Sequence, residues 1–167
     1  DPQFNLGVLA YENGDFRKAV EYYQSALKIQ PDYANVIIGL GKVCEAELNI
    51  KEAKKYFKHL IKIRPDSADG YVNLANLLKQ DDNIKKAIEN YFFALKLSPN
   101  YAQVYNNLGN IFSELGKQNE AVGYYKQAIK LNSKYAEAHK NYSSIANYSE
   151  DAESLSELNK LYNSKGA

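Results

Sequence analysis

The chain has 167 residues, of which 45% are hydrophobic and 25% charged, so its composition is that of a globular protein and excludes a disordered tail. The 21 basic and 20 acidic residues leave a formal net charge of +1, which lacks the excess positive charge that non-specific nucleic-acid binding requires. No apolar run reaches the roughly 18 residues that a membrane span needs. We therefore expect no nucleic-acid partner and no segment that spans a membrane.

The residues that usually carry metal or redox chemistry are scarce. Cys44 is the single cysteine, which excludes an internal disulfide and a cysteine-rich zinc site. The two histidines, His59 and His139, have no partners at ligand spacing. No carboxylate pair stands in an evident cleft. We therefore predict no enzymatic activity, no catalytic residue, no metal and no cofactor.

The chain begins at Asp1, without an initiator methionine and without a signal-peptide pattern. We expect it to be a fragment of a longer protein or a trimmed product, and we expect a cytoplasmic location.

A repeat of 34 residues organises the sequence. Pro31, Pro65 and Pro99 are spaced by 34 residues. The same shift aligns a leucine column, an alanine column and an aromatic column: Leu6, Leu40, Leu74 and Leu108; Ala19, Ala53, Ala87 and Ala121; Tyr23, Phe57, Tyr91 and Tyr125. Because several columns keep one register, the sequence predicts an array of stacked repeats.

Each repeat is predicted to contain two helices. In the first, one apolar stripe runs through Leu6, Leu9 and Ala10, and a second runs from Ala19 to Leu27 at helical spacing. Asn13-Gly14-Asp15 separates the stripes, and a proline ends the second helix, which cannot continue through it. We predict four repeats of helix A, tight turn and helix B at residues 1–33, 34–67, 68–101 and 102–135.

Small residues follow the leucine column in every repeat: Gly7, Gly41, Ala75 and Gly109. A small residue lets helix A approach helix B closely, and the aromatic column of helix B fills the space between them. A larger side chain at these positions is expected to overpack the crossing.

The pattern resembles the tetratricopeptide repeat (TPR) family, with Leu-Gly in helix A, alanine and an aromatic residue in helix B, and a terminal proline. The resemblance covers residues 1–135 and implies an all-α fold, a right-handed α-solenoid of antiparallel helix pairs. It also implies a protein–protein interaction scaffold that binds a peptide or protein segment in its concave groove. The sequence departs from the family where Leu48 and Asp82 replace the glycine between helices, and where Ser133 replaces proline.

Residues 136–167 are predicted to form C-terminal capping helices. The repeat register continues for one helix to about Tyr148, and Ser149-Glu150-Asp151 then has the features of a helix start. A terminal repeat needs such a cover for its hydrophobic face. No equivalent precedes Asp1, which leaves two explanations open: further repeats in a longer protein, or a homo-oligomer formed through the uncovered first repeat.

The A helices of such a solenoid line its concave wall. Asparagines recur there at repeat spacing, interrupted by Gly39, with two more one turn further on: Asn5, Asn73, Asn107 and Asn141; Asn76 and Asn110. A carboxamide both donates and accepts hydrogen bonds, so such a column can hold a peptide backbone. It is similar to the asparagine ladder in the TPR superhelix of O-linked N-acetylglucosamine transferases. The alternative is that these side chains brace adjacent helices or face water.

An apolar strip is the second candidate on the same wall. Phe4, Ile38 and Val72, with Val8 and Tyr11, would make the N-terminal half of the groove apolar, and an exposed apolar strip usually marks a binding surface. Lys42 and Lys79 stand on the same helix faces. The alternative is that neighbouring repeats bury the apolar residues.

The resemblance implies two other functions for the chain. A TPR clamp for the C-terminal tail of a chaperone would use Asn76 and Asn107. The positions where such a clamp needs cations are occupied by Val72, Glu137 and Asn141, so the terminal carboxylate of the tail would lack its charge-assisted bonds.

The segment 138–143 resembles the stretch that joins TPRs to sulfotransferase domains, and glycosyltransferases also carry TPR arms. An alternative function is therefore the targeting arm of a larger transferase whose catalytic domain is missing from this chain; a self-assembling oligomerisation module is a further alternative.

Overall fold

A computed structural model describes residues 1–146 of the chain, and in them every regular element is a helix. Eight helices are complete within this range: α1 (Pro2–Glu12), α2 (Phe16–Ile29), α3 (Ala34–Ala46), α4 (Ile50–Ile63), α5 (Ala68–Gln80), α6 (Ile84–Leu97), α7 (Ala102–Glu114) and α8 (Gln118–Leu131). A ninth helix, α9, runs from residue 136 to 146, where the described part ends. The predicted all-α fold class is confirmed.

The chain divides into two compact units, Asp1–Ser98 and Pro99–Ala167. In the first unit, each odd-numbered helix packs against the helix that follows it, and α2 and α4 also pack against α3 and α5, so three helix pairs stack as in an α-solenoid. In the second unit, α7 packs against α8, and hydrogen bonds join α7 to α9. The part of the predicted cap beyond residue 146 lies outside the described residues.

The helix ends follow from local sequence. The side-chain oxygens of Asp1, Asp15 and Asn49 accept hydrogen bonds from backbone N–H groups at the starts of α1, α2 and α4, at 2.8, 3.1 and 3.3 Å. These bonds satisfy donors that the first helical turn leaves without a partner. The repeated proline follows the C-caps of α2, α4 and α6 directly, where no further helical turn is possible.

The turn between helices A and B has the same backbone in every repeat. Gly14 and Gly116 adopt the left-handed region with φ of 75° and 74°. Leu48 and Asp82, at the same repeat position, adopt φ of 59° and 56° despite having a Cβ. For an L-residue such as Leu48 this conformation costs roughly 1–2 kcal/mol. The packing of the two helices therefore determines the turn even where the family's glycine is absent.

The contact between helices A and B is the core of each repeat. The alanines and the aromatic rings that recur in helix B of the four repeats are all buried: Ala19, Ala53, Ala87 and Ala121; Tyr23, Phe57, Tyr91 and Tyr125. A Cβ added to Gly41 would lie 2.6 Å from ring atoms of Phe57, and one added to Gly109 would lie 2.5 Å from Cε1 of Tyr125. The predicted role of these glycines in close helix approach is confirmed.

We predict that Gly109→Ala lowers the free energy of unfolding by about 1–3 kcal/mol, because the added methyl group overlaps the buried Tyr125 ring. Gly123→Ala is the matched control. Gly123 lies inside α8 with open space around its Cα, so alanine there should stabilise the protein by up to about 1 kcal/mol through helix propensity. Urea unfolding followed by circular dichroism measures both changes; equal effects of the two variants would contradict the packing account.

Candidate functional site

A cavity of about 230 Å³ opens on the first unit between α1 and α3. It brings together three residues that the sequence placed on the concave wall, Phe4, Ile38 and Lys42, and the associated Val8 and Tyr11. The lining is completed by Glu12, Tyr23, Asn35 and Gly39. We call this cavity the α1–α3 pocket. Its walls are mainly apolar, and both an acidic and a basic side chain border it.

Aromatic contacts shape one side of the α1–α3 pocket. The ring centroid of Phe4 lies 5.5 Å from that of Tyr33 and 6.2 Å from that of Tyr23, within the range of favourable aromatic pairs. A Cβ on Gly39 would lie 2.6 Å from Cζ of Tyr23. Gly39, the one gap in the predicted asparagine column, is therefore a packing requirement of the Tyr23 ring.

Three lining residues, Glu12, Tyr23 and Asn35, were not predicted as site residues, and Tyr23 was missed because its ring was assigned to the core. The ring is 2% exposed, as that assignment requires, but the residue also lines the pocket. Burial raises the pKa of its phenol, with smaller contributions from Tyr11 and Glu12, so the hydroxyl keeps its proton at neutral pH. The sequence does contain a signal for Tyr23: Val8 occupies the repeat position that Asn76 and Asn110 occupy in the third and fourth repeats.

Tyrosine and asparagine form a hydrogen bond inside the third and fourth repeats. The hydroxyl of Tyr91 donates to Oδ1 of Asn76 at 2.6 Å, and that of Tyr125 donates to Oδ1 of Asn110 at 2.7 Å. Burial, followed by the charges of Glu114 and Glu137, raises the pKa of Tyr125 to about 12. Asn76 and Asn110 therefore accept hydrogen bonds from the helix B of their own repeats.

The asparagines of the second unit also form a network between helices. Nδ2 of Asn141 on α9 donates to Oδ1 of Asn106 at 3.1 Å and to Oδ1 of Asn110 at 3.0 Å. Nδ2 of the fully buried Asn106 donates to Oε1 of Glu137 at 3.1 Å. Bracing of adjacent helices, which was the alternative for the asparagine column, thus occurs at Asn110 and Asn141.

The other predicted residues differ in their surroundings. Asn5 and Lys42 are exposed, whereas Asn73, Asn107 and Lys79 are half-buried. Nδ2 of Asn73 donates to the backbone oxygen of Asp69 at 2.9 Å, one helical turn back.

Val72 requires a correction. Its side chain is 3% exposed, so it belongs to the core and has no surface to offer a ligand. The expectation that it continues the exposed apolar strip is wrong, whereas Phe4 and Ile38 are half-buried and open to the pocket.

The described residues contain no group of three acidic, histidine or cysteine side chains that could hold a metal ion. Cys44 is half-buried beside the core around Phe57, and burial raises the pKa of its thiol, which disfavours the reactive thiolate. In residues 1–146, no helix has the length and apolar character required to cross a membrane.

Comparison with known families agrees with this architecture. Tetratricopeptide repeat models match residues 2–33, 34–67 and 102–135, and a TPR repeat model matches residues 75–116. The chain belongs to the tetratricopeptide repeat family. TPR proteins are generally non-catalytic scaffolds, and membership supports a protein-interaction scaffold as the general role of this chain.

Solved TPR structures share the fold at low sequence identity. PilF of Pseudomonas aeruginosa is 20% identical with a TM-score of 0.83, covering 100% of this chain and 76% of that protein. MamA is 24% identical with a TM-score of 0.69, over 84% and 76% of the two chains. YrrB, described as a TPR protein with an unusual peptide-binding site, is 22% identical with a TM-score of 0.65, over 89% and 77%. No curated protein matches the sequence significantly.

Proposed function

We propose that this TPR protein binds a peptide or protein segment of a partner on the faces of its A helices, with the α1–α3 pocket as the main contact of the first unit. The observation that carries the proposal is the pocket itself, which joins Phe4, Ile38 and Lys42 in one concave surface. Concave, mostly apolar sites with a few polar groups are the usual form of a ligand site.

In each unit by itself, asparagines are proposed to add contacts to the backbone of a bound segment: Asn5, Asn73 and Asn76 in the first unit, and Asn107, Asn110 and Asn141 in the second. A carboxamide offers two N–H donors and two acceptor lone pairs, so a side chain with an internal hydrogen bond can still contact a ligand. Lys79 is proposed to contribute a charged contact beside Asn76. The fold shared with YrrB, whose description includes a peptide-binding site, supports this interpretation.

We predict that Ile38→Gln weakens binding of a peptide selected against the whole chain by about tenfold, because an apolar contact in the α1–α3 pocket is lost. Ile29→Gln is the matched control, since Ile29 is 75% exposed at the end of α2 and does not line the pocket. Fluorescence polarisation with a labelled peptide from phage display measures both affinities. Equal affinities of the wild type and Ile38→Gln would contradict the assignment of the pocket.

A second candidate function is self-association through the first repeat. Leu6 is 40% exposed and Leu9 is 55% exposed. Leu40 and Val43, at the same positions of the second repeat, are 2% and 0% exposed because they join the core that contains Ala19 and Ala26 of α2. The apolar face of Leu6 and Leu9 is therefore exposed in the first repeat, whereas the same face is buried in the second. Such a face is typical of a docking surface, and we propose that a second copy of this chain binds there.

We expect sedimentation velocity to show a dimer that dissociates on dilution. Leu9→Glu should abolish it, because the change places a charge in the apolar face. Leu48→Glu should leave the dimer intact, since Leu48 is 83% exposed in the turn after α3. A wild-type chain that stays monomeric at every concentration rules out this second function.

A further inference from the structure

The first repeat lacks an internal hydrogen bond that the third and fourth repeats possess. In those repeats the buried tyrosine of helix B donates to an asparagine of helix A, through Tyr91 and Asn76 at 2.6 Å and through Tyr125 and Asn110 at 2.7 Å. The register places Tyr23 and Val8 at the same two positions. Because Val8 has no acceptor, Tyr23 cannot form this bond, and its hydroxyl makes no hydrogen bond within the described residues.

The missing bond coincides with the α1–α3 pocket. Val8 and Tyr23 both line it, and the Tyr23 hydroxyl lies against Gly39, where a Cβ would be 2.9 Å from the hydroxyl oxygen. Tyr23 is 2% exposed as a residue, and the one polar atom of its side chain lies at a mainly apolar cavity. A ligand that fills the cavity removes solvent from this donor, and a desolvated donor without an acceptor costs free energy.

We infer that the Tyr23 hydroxyl is the anchoring donor of the α1–α3 pocket and that it binds a peptide carbonyl oxygen of the partner. A bulky apolar side chain next to this carbonyl occupies the space between Phe4, Val8 and Ile38. This inference rests on the proposed peptide-binding function and specifies which part of the partner the pocket recognises. The bound amide oxygen takes the place that Oδ1 of Asn76 and Asn110 holds in the third and fourth repeats.

Size and charge support this occupant. The cavity of about 230 Å³ is smaller than the roughly 300–1,000 Å³ of typical small-molecule sites, and an α-helix about 10–12 Å across does not fit inside it. It has room for one large side chain of an extended segment. Glu12 and Lys42 border it with one charge of each sign, which favours a neutral amide and an apolar side chain over a net-charged group.

The repeats provide matched variants that separate binding from folding. Tyr23→Phe removes only the hydroxyl, so we expect it to weaken binding about two- to tenfold with an unchanged midpoint of thermal unfolding. Tyr91→Phe and Tyr125→Phe remove hydroxyls that bond internally to asparagine and lie outside the α1–α3 pocket, so we expect a lower unfolding midpoint and an unchanged affinity of this pocket. Val8→Asn supplies the acceptor found in the third and fourth repeats and replaces an apolar wall of the pocket with a polar one, so it should weaken binding at least as much as Tyr23→Phe.

The probes are a display-selected peptide and N-acetyl-phenylalaninamide, which carries one aromatic side chain between two amides. We expect NMR titration with the small probe to shift the signals of Phe4, Val8 and Ile38 in the wild type, with weaker binding to Tyr23→Phe and Val8→Asn. Binding of either probe that neither variant weakens would overturn the Tyr23 inference and leave the proposed function intact. The absence of binding by both probes would overturn both.

Discussion

The contact of an aromatic ring on helix B with a small residue on helix A is the interaction on which the rest of this structure depends. Tyr23, Phe57 and Tyr125 lie so close to the glycines of their own A helices that a single methyl group would overlap each ring. This contact sets the separation of the two helices in a pair. The turn between them then adopts a left-handed residue even at Leu48, where no glycine relieves the strain.

The same geometry determines whether an A-helix residue bonds to helix B or borders the α1–α3 pocket. The side chain one position after the small residue points at the end of the ring. Where it is asparagine, as in Asn76 and Asn110, it accepts the tyrosine hydroxyl and the repeat satisfies its own polar group. Where it is Val8, the polar atom remains at the pocket. A binding site can therefore arise in a repeat protein from one position at which an internal bond is missing.

The sequence predicted the fold well because the same residue types recur at each position of the repeat, so each structural assignment has several independent supports. The helices, their order and the buried alanine and aromatic columns all followed from one register. Individual side chains were less predictable. The burial of Val72 and the hydrogen bonds from Asn141 to α7 depend on tertiary neighbours, which periodicity alone does not specify. Tyr23 was missed because one residue supplies both a ring of the core and a hydroxyl at the α1–α3 pocket.

A crystal structure of the chain with a display-selected peptide tests the central claim most directly. The account predicts a peptide carbonyl oxygen within about 3 Å of the Tyr23 hydroxyl oxygen, the usual length of a hydrogen bond between oxygens. It also predicts an apolar side chain of the peptide beside Phe4 and Ile38. A peptide bound elsewhere, with the Tyr23 hydroxyl still without a protein or peptide acceptor, would contradict it.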